Sequence, residues 1–283
     1  MTHRHVVVGV DGSLIAVRAL DQAAQEAVRR AAGLHILYAV SDRDASGPVL
    51  ASAAARVHGR HPELPVTTSA VESTAVESLV HESEEAALTV VGTRGLTGVT
   101  GLLVGAVGPR LAARARGPLM VVRHDLPRDR GTCAGERPVL LALQGDGDTD
   151  VAAYAFEEAE RRGVTLRVVH ATPHRHLTPR IPSPLPATSP GRRRQVRGDP
   201  AEEAVPRLGV VRPREQHPQV CVDARTGRLS PAHALLEATR EASVVVIGTH
   251  RHVVPLGRHL GPVARTLLHH SHCPVVLVPT PGG

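Results

Sequence analysis

Aromatic side chains are almost absent from this chain of 283 residues: there is no tryptophan, and there are only two tyrosines and one phenylalanine. The core must therefore be built from Val, Leu, Ile and Ala, within an apolar fraction of 42%. The aromatic platforms on which single-stranded nucleic acids stack are missing as well. Lysine is absent altogether, so all 33 residues counted as Lys plus Arg are arginines. The formal charge of +6 then reads as a compositional bias spread over a solvated arginine-rich surface, and nucleic acid is not expected as a partner. No run approaches the roughly 18–20 uninterrupted apolar residues that span a bilayer, so no membrane partner is expected. Met1-Thr2-His3-Arg4-His5 enters a strand-like run at once, without a secretory pattern. Cys133, Cys221 and Cys273 are few, widely spaced and odd in number. They argue against a disulfide framework and fit a cytoplasmic setting.

What the chain does contain is an internal repeat. Val91-Gly92-Thr93 matches Ile247-Gly248-Thr249, Gly105 matches Gly261, and Gly117-Pro118-Leu119-Met120-Val121-Val122 matches Cys273-Pro274-Val275-Val276-Leu277-Val278, all at an offset of 156. Val8-Gly9-Val10-Asp11-Gly12 matches Leu141-Ala142-Leu143-Gln144-Gly145 at an offset of 133, so the second half carries about 23 extra residues (156 − 133) between its first and fourth strands. The segment 173–218 is dense in Pro and Arg and is expected to form an exposed loop without regular structure, apart from a short helix at 201–205. The expected domains are 1–124 and 138–283, joined by a polar linker at 125–137.

Within the first half, short apolar runs alternate with segments of helical periodicity. Val6–Val10 is continuous, as in a strand buried on both faces. Ser13 is placed to cap a helix that Gly33 closes. Strands at 34–40, 66–71, 88–91 and 119–122 alternate with helices at 51–58, 76–86 and from about 107. The fold class that follows is α/β, with two tandem doubly wound domains. Each is a five-stranded parallel sheet with helices on both faces. Ligands of such sheets bind beyond the carboxyl ends of the strands, where strand order reverses.

Three elements end at that edge: Asp11 closes the first strand, Val40 the second and Gly92 the fourth. Asp11 can accept hydrogen bonds from ribose hydroxyls or an adenine amino group, and Val40 can wall a base. The run Gly92-x2-Gly95-x9-Gly105, placed between a strand and a helix, can present backbone amides to phosphates. Val8-Gly9-Val10-Asp11-Gly12-Ser13, this glycine run and Gly117-Pro118-Leu119-Met120-Val121-Val122-Arg123 together resemble the universal stress protein family, in a tandem two-domain form. The resemblance implies an adenine nucleotide alpha hydrolase-like fold and a stress-associated regulatory protein. It implies ATP or a related adenine nucleotide (AMP or cAMP) as ligand, with or without Mg. By position, Asp11 and Val40 would face adenine and ribose, and Gly92, Gly95 and Gly105, followed by Ala106, would line the phosphates.

Nucleotide-binding members of that family carry Ser or Thr directly after the third glycine, and often again two residues later. Here those places hold Ala106 and Gly108. A hydrogen bond to a charged group is worth roughly 1.5–3 kcal/mol, about ten- to a hundredfold in affinity, so a single weak site is expected. In the second half Gln144 replaces Asp11, Thr172 replaces Val40, Arg251 replaces Gly95 and Pro262 replaces Ala106. That half is expected to fold without binding nucleotide. The apolar fifth strands, 119–122 and 275–278, are candidates for pairing with each other, and the resemblance implies an intramolecular pseudo-dimer, with homodimers also open. No catalytic constellation is assigned; slow ATP hydrolysis would be the most the site supports. No metal ligands are assigned either, although His250, His252, His259, His269, His270, His272 and Cys273 crowd the C-terminal region. The alternatives are a nucleotide-independent scaffold, using the loop 173–218 to dock an acidic partner, and a metal-responsive regulator.

Overall fold

The computed structural model describes residues 5–40, 46–93, 107–123, 137–143, 148–170, 210–225, 231–249, 252–254 and 257–280. The first half runs β1 (His5–Val10), α1 (Leu14–Arg29), β2 (Gly33–Val40), α2 (Gly47–His58), β3 (Val66–Glu72), α3 (Ala75–Glu82), β4 (Leu88–Thr93), α4 (Val107–Arg114) and β5 (Leu119–Arg123). The second runs β6 (Val139–Leu143), α5 (Thr149–Arg162), β7 (Leu166–His170), α6 (210–216), β8 (Val222–Arg225), α7 (Pro231–Ala238), β9 (Val244–Thr249), β10 (His252–Val254), β11 (Gly257–His259), α8 (Pro262–His270) and β12 (Val275–Pro279).

Ten strands form one sheet in the order β3-β2-β1-β4-β5-β12-β9-β6-β7-β8. Each half thus keeps the doubly wound order, and the sheet is parallel except where β5 and β12 pair antiparallel (Val121 opposite Val275, Leu119 opposite Leu277). The continuous apolar runs are explained by burial on both faces. Val6 and Val8 face one core with Leu20 of α1, while Val7 faces the other with Leu79 of α3 and Leu111 of α4.

Register pins the insertion more tightly than the sequence does. Leu34 and Leu166 occupy equivalent places 132 residues apart, and Val66 and Val222 are 156 apart, so 24 residues (156 − 132) enter between β7 and β8. The expectation of an irregular 173–218 is corrected at its end, where 210–216 is helical; the helix expected at 201–205 lies outside the described residues. A second correction concerns the end of α1. Gly33 begins β2; Arg30 caps the helix and Ala31 takes the left-handed turn at φ 47°. The equivalent turn after α5 is made by Gly163 at φ 64°. A Cβ in that region costs roughly 1–2 kcal/mol. Ala31→Gly is therefore expected to stabilise the fold by about 1 kcal/mol, seen as a higher urea midpoint at unchanged slope.

The two halves also meet through α1 and α5. Glu26 and Glu158 are fully buried, and Arg30 and Arg162 almost so. Arg30 Nη2 donates to Glu158 Oε2 at 2.6 Å and Arg162 Nη2 to Glu26 Oε1 at 2.5 Å, while each arginine also pairs with the glutamate of its own helix. Arg30 additionally donates to Tyr154 Oη at 3.0 Å. Burial alone would push the Glu26 carboxyl up; Arg162, Arg30 and Arg29 reverse this and hold it at about 2.

Candidate functional site

Strand order reverses between β1 and β4, so the carboxyl ends of these neighbours open a crevice. Asp11 stands there directly after β1, exposed, with Oδ1 accepting the Ser13 N–H at 3.0 Å. Gly12 lies between them at φ 76°, in the left-handed region, so a side chain at this turn would be strained. Ser13 then caps α1, its Oγ accepting the Ala16 N–H at 3.2 Å, as its position predicts. These contacts aim the N-terminus of α1, which has no acidic residue in its first turn, along the same edge.

Across the crevice, Gly92 and Thr93 end β4. A Cβ on Gly92 would lie 2.6 Å from Ile15 Cγ2 and 3.1 Å from the Ile15 carbonyl oxygen. This glycine therefore lets α1 lie against the strand, a packing role that its place at the mouth of a phosphate-type loop does not reveal. Gly108, in the first turn of α4, comes next to Thr93: a Cβ there would make ordinary contact, 3.9 Å from Thr93 Cγ2.

Of the residues singled out in the sequence, Asp11 and Gly92 come to the crevice, and Val40 ends β2 opposite Glu72, one strand beyond β1. Gly95, Gly105 and Ala106 lie outside the described residues. Two further residues belong to this edge. Gly12 had a readable signal, a glycine between an acid and a helix cap. Leu14, 86% exposed at the start of α1, had none, because its helical phase points it to solvent.

In the second half, Gln144, Thr172 and Arg251 lie outside the described residues. Asp148 takes the place of Ile15 and is fully buried, its Oδ1 only 2.8 Å from where a Cβ on Gly248 would stand. Gly261 caps α8 in extended conformation and Pro262 is the first helical residue, so the amide that Ala106 would offer has no counterpart. The stretch after β9 also pairs with itself: β10 and β11 form an antiparallel hairpin, Val254 opposite Gly257. That hairpin is an addition to the expected five strands.

His250 lies outside the described residues. The rings of His269 and His270 stand 6.0 Å apart. Burial, His270 and two arginines hold His269 below the usual imidazole range. Burial pushes the Cys273 thiol up to about 12.

Comparison with known proteins places this geometry. The model of the universal stress protein family matches residues 2–123 and again 136–279. A universal stress protein of Mycolicibacterium smegmatis is 28% identical over 303 residues, spanning 98% of this chain and 97% of that one. The crystal structure of a universal stress protein from Archaeoglobus fulgidus superposes with a TM-score of 0.63 at 14% identity, covering 99% of both chains. A universal stress protein solved in complex with cAMP is 32% identical, over 42% of this chain and 96% of its own, with a TM-score of 0.39. Among the described residues no helix is long and apolar enough to cross a membrane.

Proposed function

Since the chain belongs to the universal stress protein family, we propose that it is a cytoplasmic regulatory protein that binds an adenine nucleotide weakly at one site, in its first half. The observation that carries this reading is the crevice between β1 and β4. There an exposed carboxylate (Asp11), a left-handed glycine (Gly12) and the strand end at Gly92–Thr93 converge beside the first turn of α4. Asp11 reads the base and ribose side, Val40 walls it, and the segment carrying Gly95, Gly105 and Ala106 holds the phosphates of ATP, AMP or cAMP, with or without Mg. The second half is its siteless partner. Pro262 at the first helical position removes a donor, and the stretch after β9 folds on itself as the hairpin of β10 and β11. The pairing of β5 with β12 supports the two halves acting as a pseudo-dimer.

Calorimetric titration with ATP, AMP and cAMP, each with and without Mg, tests the reading. One weak site per chain is expected, and Gly105→Glu is expected to abolish it. At Gly108 a Cβ would make only ordinary contacts, and Gly108→Ser restores a hydroxyl, so it is expected to tighten binding by about tenfold or more. Absence of heat with every nucleotide at millimolar ligand would overturn the proposal in favour of a nucleotide-independent scaffold. Binding that survives Gly105→Glu would move the site elsewhere.

A further inference from the structure

The opposite edge of the first sheet carries a group of side chains that the nucleotide reading does not use. Parallel pairing of β1 with β2 sets His5 opposite Gly33 and His35 opposite Val7. His5, Val7, His35 and Leu37 therefore share one face, the face covered by α3. Gly9 lets Leu79 of α3 come down onto β1, with 3.0 Å between its Cβ position and Leu79 Cδ1. One helical turn later, Glu82 comes to the two imidazoles. Glu82 Oε2 lies 3.6 Å from His35 Nδ1 and 4.0 Å from His5 Nε2, and one donor atom from each residue falls within 4.8 Å of the others. All three residues are partly exposed. The group sits at the amino end of β1, roughly 17 Å along the strand from the nucleotide crevice.

We propose that His5, His35 and Glu82 form a three-ligand site for a divalent transition-metal ion of the zinc type, with water completing its coordination. Two imidazoles and one carboxylate are a donor set that zinc accepts, and an open fourth position suits a site at the surface. Zinc bonds of roughly 2.0–2.2 Å place tetrahedral donors about 3.3–3.6 Å apart, so the present separations close with side-chain movements of about 1 Å or less. One of the imidazoles has an outer partner. His35 Nε2 lies 2.7 Å from Ser69 Oγ. In the tautomer that donates Nε2–H to Ser69, the Nδ1 lone pair faces Glu82, in the manner of a metal-bound imidazole anchored through its other nitrogen. His5 Nε2 is buried and makes no hydrogen bond, yet it faces the same carboxylate. Without a cation, two imidazole nitrogens and an anionic oxygen meet at distances too long for hydrogen bonds. A divalent ion placed between them would bond all three. Burial and the neighbouring His5, against the pull of Glu82, hold His35 below the usual imidazole range.

Cobalt(II) is the probe, because a site of low coordination number gives it strong visible absorption that zinc then quenches by displacement. The 18 histidines of the chain make variants, not total uptake, the decisive readout. One equivalent of strongly absorbing cobalt is expected in the wild type. Its affinity should fall by at least about a hundredfold in His35→Gln and Glu82→Gln, and by about tenfold in Ser69→Ala. His272→Gln, near the C-terminal histidines, should leave it unchanged. Zinc should raise the melting temperature of the wild type and not that of Glu82→Gln, whose metal-free melting shows whether the variant is folded. Equal cobalt spectra in wild type, His35→Gln and Glu82→Gln would overturn the site. So would an equal thermal shift with zinc in wild type and Glu82→Gln.

Discussion

Glu158→Gln is expected to lower the stability of the folded chain by about 3–5 kcal/mol, the typical cost of leaving buried charges without a partner. Glu158 is fully buried and accepts hydrogen bonds from Arg30, Arg161 and Arg162. Removing its charge leaves Arg30 and Arg162 sharing Glu26 in a volume that water does not reach. The measurement is a urea denaturation midpoint at unchanged slope. The cost arises from breaking the set: exchanging Glu26, Arg30, Glu158 and Arg162 together for apolar residues of similar volume is expected to be near neutral or stabilising. A loss below about 1 kcal/mol in Glu158→Gln would mean that the four charges behave as exposed pairs. The same set dictates an acid sensitivity. Glu26 titrates at about 2 in the folded chain against an ordinary value of 4.5. Its contribution, about 3 kcal/mol by linkage, is complete above 4.5 and is lost as pH falls toward 2. Stability should therefore decline with acidification across that window, and less so in Glu26→Gln.

Gly117→Ala is expected to cost about 3 kcal/mol, the upper part of the range for forcing an extra carbon into a packed site. A Cβ at Gly117 would stand 2.3 Å from the carbonyl oxygen of Ser83, where carbon and oxygen normally stay about 3.3–3.6 Å apart. The obstacle is backbone, and it is held in place. Ser83 is fully buried; its Oγ donates to the Val80 carbonyl at 2.7 Å and accepts the Arg116 N–H at 3.0 Å, tying the end of α3 to the turn between α4 and β5. The second half repeats the tie with Thr239, which accepts the His272 N–H at 3.0 Å, yet has Cys273 where the first has Gly117. The two halves thus solve the same junction with different backbone spacing. Gly108→Ala, whose new carbon would meet nothing closer than 3.9 Å, serves as the control that should melt near the wild type.

The framework was legible because it rests on local signals. The apolar run at β1 and the serine cap of α1 each state in sequence what the backbone does. The end of α1 was misread since glycine is the usual left-handed residue, and here Ala31 takes that conformation two residues before Gly33. The hairpin of β10 and β11 was missed because two three-residue strands carry no periodicity. Glu26, Arg30, Glu158 and Arg162 carry no sign of burial in the sequence, since only the meeting of α1 with α5 buries them. At the candidate site, Asp11 and Gly92 followed from strand ends, whereas the contact of Gly92 with Ile15 depends on helix placement. The His5–His35–Glu82 group joins residues scattered over three elements, so no spacing in the sequence could announce it.

The pairing of β5 with β12 has a consequence for dosage. Two halves carried on one chain meet at an effective concentration set by the polypeptide, not by its expression level. Dilution cannot separate them, and a second copy cannot add to either fifth strand without displacing its resident neighbour. The ratio of first halves to second halves is thereby held at one to one, however little or much of the protein is made.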